Sequence, residues 1–447
     1  MSRKKPNILW IVTDQQSAPM MSCAGNSWLH TPAMDRLAAE GVRFDRAYCT
    51  DPVCLPSRFS LMTGRMPSAV AVRSNRADHI EAVPDEINST GIGRLLREAG
   101  YETFYGGKVH LPHMTPEDIG LESIERDERD ALAETCTQFL RADHDDPFCL
   151  VASFVNPHDI CYMAIRESMQ DESERRLMEH GSVEVETLDR ALQPPPGVDE
   201  EAFFAEHCPP LPANFEPQHD EPEAVRFLLD ERPFRRRARE RWGEAEWRMH
   251  RWAYCRLTER VDAQIGRVVD ALEQSGRAED TLVVFTSDHG DMDSAHRMEH
   301  KTVLYEEPCR VPLIVRPPGG RAAAVDEAHL VSNGLDLLPT LCDWAGAPVP
   351  DGLEGRSLRG LVEGDAPDHW RRVLPVESQI GRMVVTDRFK YMRYDVPEAC
   401  EQMMDLEDSP REMRSVAGDP AFGEVLDEHR RLFDECFARI ESARVLE

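Results

Sequence analysis

Short apolar runs and longer amphipathic stretches alternate along most of the first 350 positions of the chain. Residues 8–12 form a continuous apolar run that ends in Thr13 and Asp14, as expected for a buried parallel strand that carries an acid at its carboxyl end. The same alternation predicts helices at residues 89–99, 128–141 and 245–274, and strands at residues 101–105, 148–155 and 281–286. Helices that alternate with apolar strands predict a wound α/β sheet with functional groups at the strand ends.

Two stretches depart from this pattern. Between residues 161 and 247 the periodicity weakens, prolines cluster and charge dominates, which predicts an irregular insertion that shapes a substrate pocket. After Pro350, apolar runs at 373–376, 383–386 and 389–394 predict short antiparallel strands, and residues 422–443 predict a final helix. We therefore expect a catalytic α/β domain over residues 1–350 and a smaller α+β subdomain over residues 351–447.

Charge and cysteine content narrow the class of protein. The formal net charge of −30 disfavours nucleic acid or an anionic membrane surface as the main partner. The twelve cysteines show neither repeating pairs nor a Cys-x-x-Cys zinc pattern, so we expect reduced thiols. The apolar segment at residues 7–13 is too short for a signal peptide or a membrane-spanning helix, and we expect a cytoplasmic protein.

Three segments carry residues suited to chemistry. Cys54-Leu55-Pro56-Ser57-Arg58 places Pro56 in the first turn of a helix, so that residue 54 lies at a helix N-terminus, which attracts anions. Thr13-Asp14-Gln15-Gln16 and the run from Thr286 to Asp291 place oxygen and nitrogen ligands at two strand ends. Taken alone, the aspartate of either segment is equally well explained as a helix cap.

Together these segments resemble a type I sulfatase of the alkaline phosphatase superfamily, with matches from residue 7 to about residue 412. The resemblance implies a large mixed, mostly parallel sheet flanked by helices. In that family a maturation enzyme oxidises the Cys of a Cys-x-Pro-Ser-Arg run to formylglycine, an aldehyde. The resemblance therefore implies that Cys54 is not a thiol in the active protein.

The resemblance also implies one divalent metal, held by Asp14, Asp288, His289 and the formylglycine at Cys54. Gln15 stands where the family most often has a second aspartate, and its amide offers an oxygen ligand without a charge. Oxygen-rich ligation favours Ca²⁺ or Mg²⁺, whereas His289 also suits Mn²⁺ or Zn²⁺. Ca²⁺ is the ion that we expect.

Lysine is scarce in this chain, with five residues in total, and two of them lie in further family-like segments. Lys108 and His110 fit a Gly-Lys-x-His element in which the lysine contacts sulfate and the histidine contacts the formylglycine hydroxyl. Lys301 ends a run, begun by His296, that resembles the loop closing over the sulfate. The resemblance makes Lys301 a second sulfate-binding cation and places His296 at the substrate.

Two more residues receive roles from the resemblance. Arg58 would neutralise the alkoxide of the hydrated aldehyde. His158, in a Pro-His pair after a strand, would protonate the departing alcohol oxygen.

The arginine-rich segment at residues 232–251 contains eight arginines. Glu240, Glu244 and Glu246 lie at near-helical spacing, which favours a self-paired helix face over a patch for a polyanionic substrate.

The sequence therefore predicts a sulfatase that cleaves a sulfate monoester, with a sulfated small molecule or saccharide and a maturation enzyme as partners. A phosphonate monoester or phosphodiester hydrolase of the same superfamily is the nearest alternative, but the two lysines favour sulfate. A non-catalytic metal-bound scaffold with an unmodified Cys54 is an alternative of a different class. The leaving-group pocket would be built by residues 73–78 and 161–247, and the ester itself stays open.

Overall fold

The computed structural model describes residues 5–168, 172–397 and 400–445. The strands in chain order are β1 (Asn7–Asp14), β2 (Val42–Phe44), β3 (Ala47–Tyr48), β4 (Glu102–Gly107), β5 (Glu122–Glu125), β6 (Phe148–Pro157), β7 (Thr281–Ser287), β8 (Leu313–Arg316), β9 (Ala324–Asp326), β10 (Val331–Ser332), β11 (Leu374–Ser378), β12 (Gly381–Val385), β13 (Phe389–Tyr394) and β14 (Glu401–Asp405).

The α-helices are α1 (Pro32–Ala39), α2 (Cys54–Thr63), α3 (Asp85–Ser89), α4 (Ile92–Glu98), α5 (Asp130–Arg141), α6 (Tyr162–Ser168), α7 (Glu172–His180), α8 (Ser182–Ala191), α9 (Glu200–Ala202), α10 (Glu223–Glu231), α11 (Pro233–Arg241), α12 (Glu244–Gln274), α13 (Glu306–Cys309), α14 (Asn333–Ala345), α15 (Arg359–Glu363) and α16 (Gly423–Ser442).

The central sheet has eight strands in the order β5-β4-β6-β1-β7-β8-β2-β9. Its middle is parallel, since β1 lies between β6 and β7 and runs in the same direction as both. Strand β8 runs antiparallel to β7 and β2. The mixed, mostly parallel sheet that the sequence predicts is therefore confirmed.

Strand β1 explains why its sequence reads as a continuous apolar run. Ile8, Trp10 and Val12 belong to the core cluster that includes side chains of α2, α4 and α14 on one face of the sheet. Leu9 and Ile11 belong to the cluster that includes side chains of α1, α5 and α12 on the other face. Because both faces of the strand are covered, no position along it needs a polar side chain.

The pairing register brings three functional segments to one edge of the sheet. Thr13 of β1 lies opposite Ser287 of β7. Asp14 and Asp288 are the next residues of the two chain segments, so they lie side by side where the strands end. On the other side of β1, Asp14 lies opposite Pro157, the last residue of β6. Acidic groups and the histidine after β6 thus meet at the carboxyl end of the sheet, where α/β folds place their ligands.

The predicted irregular insertion at residues 161–247 is wrong in one respect, because its described part is largely helical. Helices α6 to α11 lie in it, separated by the proline-rich segments. In α10, Ala224, Val225, Leu228 and Leu229 form a buried face on a helix of nine residues. Helices this short are stabilised by packing more than by propensity, so their periodicity is weak in the sequence.

The C-terminal part contains the predicted small antiparallel sheet and final helix. Strands β11 to β14 pair in sequence order, and β14 had not been predicted. Helix α16 packs Leu426, Phe433 and Phe437 against one face of this sheet. The other face shares a core cluster with residues 292–309, so the small sheet packs directly against the segment that carries Lys301.

The helix predicted at residues 89–99 is shorter in the structure. The helix begins only at Ile92, after the short α3.

All twelve cysteines lie in the described residues and are free. Within the described ranges, no helix combines the length and apolar character needed to cross a bilayer.

Gly107, the last residue of β4, should not tolerate a side chain. Its φ is +88°, and a Cβ there would lie 2.1 Å from Ser153 O and 2.7 Å from Leu132 Cδ2. We expect Gly107→Ala to lower the free energy of unfolding by about 3 kcal/mol or more, measured by urea denaturation, since backbone atoms would have to move.

Gly100→Ala is the matched control, because Gly100 has a φ of +83° with open space around it. It should cost only about 1 kcal/mol, the cost of the left-handed conformation. Equal losses in the two variants would show that the close approach of Ser153 does not constrain β4.

Candidate active site

Cys54 is the first residue of α2, and its thiol is buried at the carboxyl end of the sheet. Its Sγ lies 3.2 Å from His289 Nε2, 3.2 Å from Lys301 Nζ and 3.7 Å from Asp14 Oδ1. Burial and Asp14 raise the pKa of the thiol, but Lys301, Lys108 and His289 together outweigh them and hold it well below the usual range. The position thus favours a negatively charged group.

Arg58 follows one helical turn later and is only 2% exposed. Its Nη2 donates to Asp14 Oδ2 at 2.9 Å, and its Nε donates to Asp288 Oδ2 at 2.8 Å. Its Nη1 donates to Lys108 O at 2.9 Å and to Ser153 Oγ at 2.8 Å. The guanidinium therefore separates two buried carboxylates that would otherwise repel each other.

The other oxygen of each carboxylate faces a shared space. Asp14 Oδ1 and Asp288 Oδ1 lie 3.9 Å and 3.6 Å from His289 Nε2, and Cys54 Sγ lies beside them. These four donor atoms all lie within 4.8 Å of one another. Ligands about 2.0–2.5 Å from a common ion have separations of this size, so the residues fit a single divalent metal.

The backbone holds the His289 ring in a suitable orientation. His289 Nδ1 lies 2.8 Å from Gly290 O, and a carbonyl oxygen can only accept a hydrogen bond. In the neutral ring the proton is therefore on Nδ1, and the lone pair of Nε2 points toward the carboxylates. This is the arrangement that metal-binding histidines adopt.

Gln15 has different partners from those that the sequence predicts. Its Oε1 accepts from Lys301 Nζ at 2.5 Å and from Cys161 Sγ at 3.0 Å, while its Nε2 donates to Asp291 Oδ2 at 2.6 Å. The structure thus places the amide oxygen against Lys301, which it helps to hold beside Cys54. The predicted ligand set is brought together without Gln15.

The two predicted cations flank Cys54. Lys108 Nζ lies 2.7 Å from Asp14 Oδ2. Burial lowers the pKa of Lys108, but Asp14 and Cys54 outweigh it and leave the pKa raised. The pKa of Lys301 is likewise raised, because Cys54, Cys161 and Asp14 outweigh its burial. Both ammonium groups therefore stay charged and can hold a tetrahedral anion against residue 54.

His158 lies beside Cys54 at the floor of a cavity of about 770 Å³. Burial and the two ammonium groups, Lys108 and Lys301, lower the pKa of His158 to about 4. His110 is exposed on the wall of the same cavity, and no hydrogen bond within the described residues joins it to Cys54.

The structure places His296 differently from the prediction. His296 is stacked on Tyr305 with ring centroids 4.3 Å apart, and its Nε2 lies 3.4 Å from Asn214 Nδ2. His300, from the same loop, lines the cavity instead. The side-chain directions in this loop follow from positive φ angles at both histidines, which the sequence pattern does not reveal.

Ser153 is a site residue that the sequence reading missed. Its Oγ accepts from Arg58 Nη1 and donates to Lys108 O at 2.8 Å, which joins β6 to two catalytic candidates. Its hydroxyl follows five apolar residues within β6, and that first polar position in the strand was the available signal.

The carboxyl end of the sheet gathers two carboxylates, an imidazole and two ammonium groups around a helix N-terminus, an arrangement suited to the hydrolysis of an anionic ester. The Sulfatase family matches residues 6–347, and the family described as N-sulphoglucosamine sulphohydrolase, C-terminal, matches residues 294–437. The first match spans more than half of the chain. The chain belongs to the sulfatase family and is a hydrolase of sulfate esters.

Individual relatives resemble the chain over nearly its full length. The Delta 4,5-hexuronate-2-O-sulfatase of Bacteroides thetaiotaomicron is 29% identical over 98% of this chain and 90% of its own length. The N-acetylglucosamine-6-O-sulfatase of the same organism is 26% identical over 97% of this chain and 86% of its own length.

Solved structures agree with this assignment. A 2-O GAG sulfatase superposes with a TM-score of 0.83 at 28% identity, over 98% of this chain and 93% of its own. The phosphonate monoester hydrolase of Agrobacterium radiobacter superposes with a TM-score of 0.73 at 21% identity, over 98% and 96%. The second likeness shows that the two share a fold.

Arg58→Met should destabilise the protein in a pH-dependent way. Removing the guanidinium leaves Asp14 and Asp288 buried without their shared partner, which should lower the free energy of unfolding by about 3–5 kcal/mol near pH 7. Burial and Asp14 already raise the pKa of Asp288 to about 6. Without the guanidinium the pKa of Asp288 rises further, so at any pH the folded variant holds at least as much of this proton as the folded wild-type protein. The loss of stability should therefore shrink as the pH falls from 7 to 5. Urea denaturation near pH 7 and pH 5, with a chelator present, measures both.

Arg36→Met is the control, because Arg36 pairs with Asp270 at 2.8 Å with both side chains well exposed. It should cost less than about 1 kcal/mol at either pH. A loss for Arg58→Met that does not change with pH would contradict the predicted role of the two carboxylates.

Proposed function

We propose that the protein hydrolyses sulfate monoesters of saccharides, with a formylglycine made from Cys54 as the nucleophile and one divalent metal beside it. The observation that carries the proposal is the convergence of the donor atoms of Asp14, Asp288 and His289 and of two ammonium groups around Cys54. The Sγ atom marks where the oxygens of the oxidised, hydrated residue would stand. A metal-bound scaffold has no use for two buried ammonium groups at such a point.

Asp14, Asp288 and His289 would hold the metal. A divalent cation there supplies Lewis-acid stabilisation of negative oxygen. We propose Ca²⁺ on account of the carboxylate oxygens, with Mg²⁺ and Mn²⁺ as the ions to test beside it.

The aldehyde hydrate supplies one hydroxyl that attacks sulfur and a second whose deprotonation expels sulfate and restores the aldehyde. Asp14 and Asp288 surround the attacking position, and Arg58 keeps both carboxylates ionised and oriented. An unmodified thiol would form an adduct without a second hydroxyl to release the sulfate.

Lys108 and Lys301 would hold the sulfate oxygens and offset the charge that develops on them. His158 would protonate the departing alcohol oxygen, since it lies on the cavity side of Cys54. Its pKa is low in the free protein because it is buried and because two ammonium groups face it. A bound sulfate places negative charge between these cations and His158, which raises the pKa toward the range that a general acid needs.

The relatives and the size of the cavity support a saccharide as the substrate. Two curated relatives are named as a hexuronate sulfatase and an N-acetylglucosamine sulfatase. A cavity of about 770 Å³ with polar and aromatic walls has room for a sugar of one or two rings. Phosphonate monoesters remain the nearest alternative substrates, because an enzyme of that kind shares the fold.

The first test concerns the nucleophile. We expect mass spectrometry of the native protein to find the thiol-to-aldehyde mass loss on the peptide that carries Cys54. Cys54→Ala should lower kcat for a sulfated sugar by more than about 1,000-fold, because no nucleophile is left. Cys23→Ala, which changes a half-buried cysteine outside the cluster, should keep full activity.

Two results would contradict this proposal. An unmodified Cys54 in fully active protein would remove the aldehyde from the mechanism. A higher kcat/KM for a phosphonate monoester than for every sulfated sugar tested would favour the alternative activity.

The second test concerns the metal. We expect His289→Ala to weaken binding of Ca²⁺, Mg²⁺ or Mn²⁺ by about 100-fold or more in isothermal titration calorimetry, since it removes one ligand of the cluster. His79→Ala is the control, because His79 is exposed and its Nε2 lies 2.7 Å from Ala71 O, away from the cluster. Unchanged metal affinity in the His289 variant would show that the ion is held elsewhere.

A further inference from the structure

Arg235 of α11 lies in the wall of the cavity above Cys54 and has an unusual lack of partners. Its Nη2 lies 3.4 Å from Thr302 Oγ1. Its Nε and Nη1 are buried and have no hydrogen-bond partner among the described residues. Arg235 as a whole is half-buried, but these two nitrogens are shielded from water. Buried donors without acceptors are costly, so an anion bound in the cavity would stabilise the guanidinium.

Two neighbouring arginines of α11, in contrast to Arg235, form ion pairs with carboxylates. Arg236 Nη1 lies 2.9 Å from Asp230 Oδ1, and Arg239 Nη2 lies 2.6 Å from Glu221 Oε1. The self-paired face predicted from the sequence is wrong for these two arginines, because their acids come from outside residues 232–251. Arg248, which lies 3.7 Å from Glu244, is paired within the segment as predicted. Arg235 departs from that pattern.

Glu231, four residues before Arg235, lines the same cavity, and its carboxylate oxygens have other partners. Its Oε2 accepts from Gln379 Nε2 at 2.5 Å, and its Oε1 lies 3.7 Å from Arg76 Nη2. Arg232 lines the same cavity. Burial and the charge of Arg232 lower the pKa of Arg235 to about 10, so Arg235 still carries its charge at neutral pH.

Arg235 is also distinct from the residues that hold the sulfate under attack. Lys301 Nζ reaches Cys54 Sγ, whereas the next residue, Thr302, presents its hydroxyl to Arg235. The charges that lower the pKa of Cys54 are those of Lys301, Lys108 and His289. An anion at Arg235 would thus lie in the same cavity as the reacting sulfate, on different residues.

We propose that Arg235 binds a second anionic group of the substrate, so that the preferred substrate is a sulfated sugar that also carries a carboxylate or a second sulfate. The inference rests on the proposed function of the cavity as the saccharide site. It assigns Arg235 to substrate selection and gives it no part in the attack on sulfur.

The experiment measures sugar binding separately from turnover. In a Cys54→Ala background, calorimetry is run with an unsaturated hexuronate 2-sulfate, glucosamine 2-N,6-O-disulfate and N-acetylglucosamine 6-sulfate. At least one of the two doubly charged sugars should bind more tightly than the singly charged one. Adding Arg235→Met should weaken that sugar by about 30- to 100-fold and the singly charged sugar by less than about 3-fold.

The choice of sugars distinguishes the two sources of charge. Loss of affinity for the hexuronate identifies a carboxylate, and loss for the disulfate identifies a second sulfate. Arg236→Met is the matched control, because it removes a paired, exposed arginine from the same helix, and it should leave all three affinities unchanged. Arg235→Lys, which keeps the charge, should recover part of the lost affinity, and thermal melting of each variant shows that it is folded.

Three outcomes would overturn the inference: equal losses for all three sugars, no loss for any of them, or no binding of any sugar. Equal losses would place Arg235 at the reacting sulfate instead. Failure of the proposed function has a different signature. In that case the wild-type protein would hydrolyse no sulfated saccharide, while Arg235→Met would still weaken binding of a doubly charged sugar selectively.

Discussion

The placement of one guanidinium between two buried carboxylates is the constraint on which the site depends. Arg58 contacts the acids at the ends of β1 and β7, and the same side chain reaches the hydroxyl of Ser153 in β6 and the carbonyl of Lys108 after β4. Two carboxylates this close would not both ionise in a dry interior without such a partner. Helix α2 thereby orients the donor atoms that surround its own first residue.

The residues at this centre could be predicted because their positions follow from regular structure. Asp14 and Asp288 come directly after apolar strands, and parallel strands bring their carboxyl ends to one edge. Cys54 and Arg58 are one helical turn apart, so both face the same edge once the helix begins at residue 54.

The sequence could not predict side-chain directions where the backbone is irregular. Gln15 has a φ of +68°, and His296 has a φ of +54°, so neither follows the geometry of a helix or strand. The helical character of residues 161–247 was missed for another reason, since helices of about two turns depend on the surface against which they pack. The position of Arg235 could not be predicted for the same reason, because it is set by how α11 meets the loop at Thr302.

Strand pairing has a consequence for how such an enzyme can change during evolution. Thr13 pairs with Ser287, and a slip of one residue between β1 and β7 would turn Asp14 or Asp288 to the opposite face of the sheet. Insertions and deletions in these strands would therefore abolish the chemistry at once. The helices that line the cavity can accept insertions and deletions more easily, because their side chains reach the substrate without depending on the pairing of the sheet. New substrate preferences can arise there while the reaction is conserved.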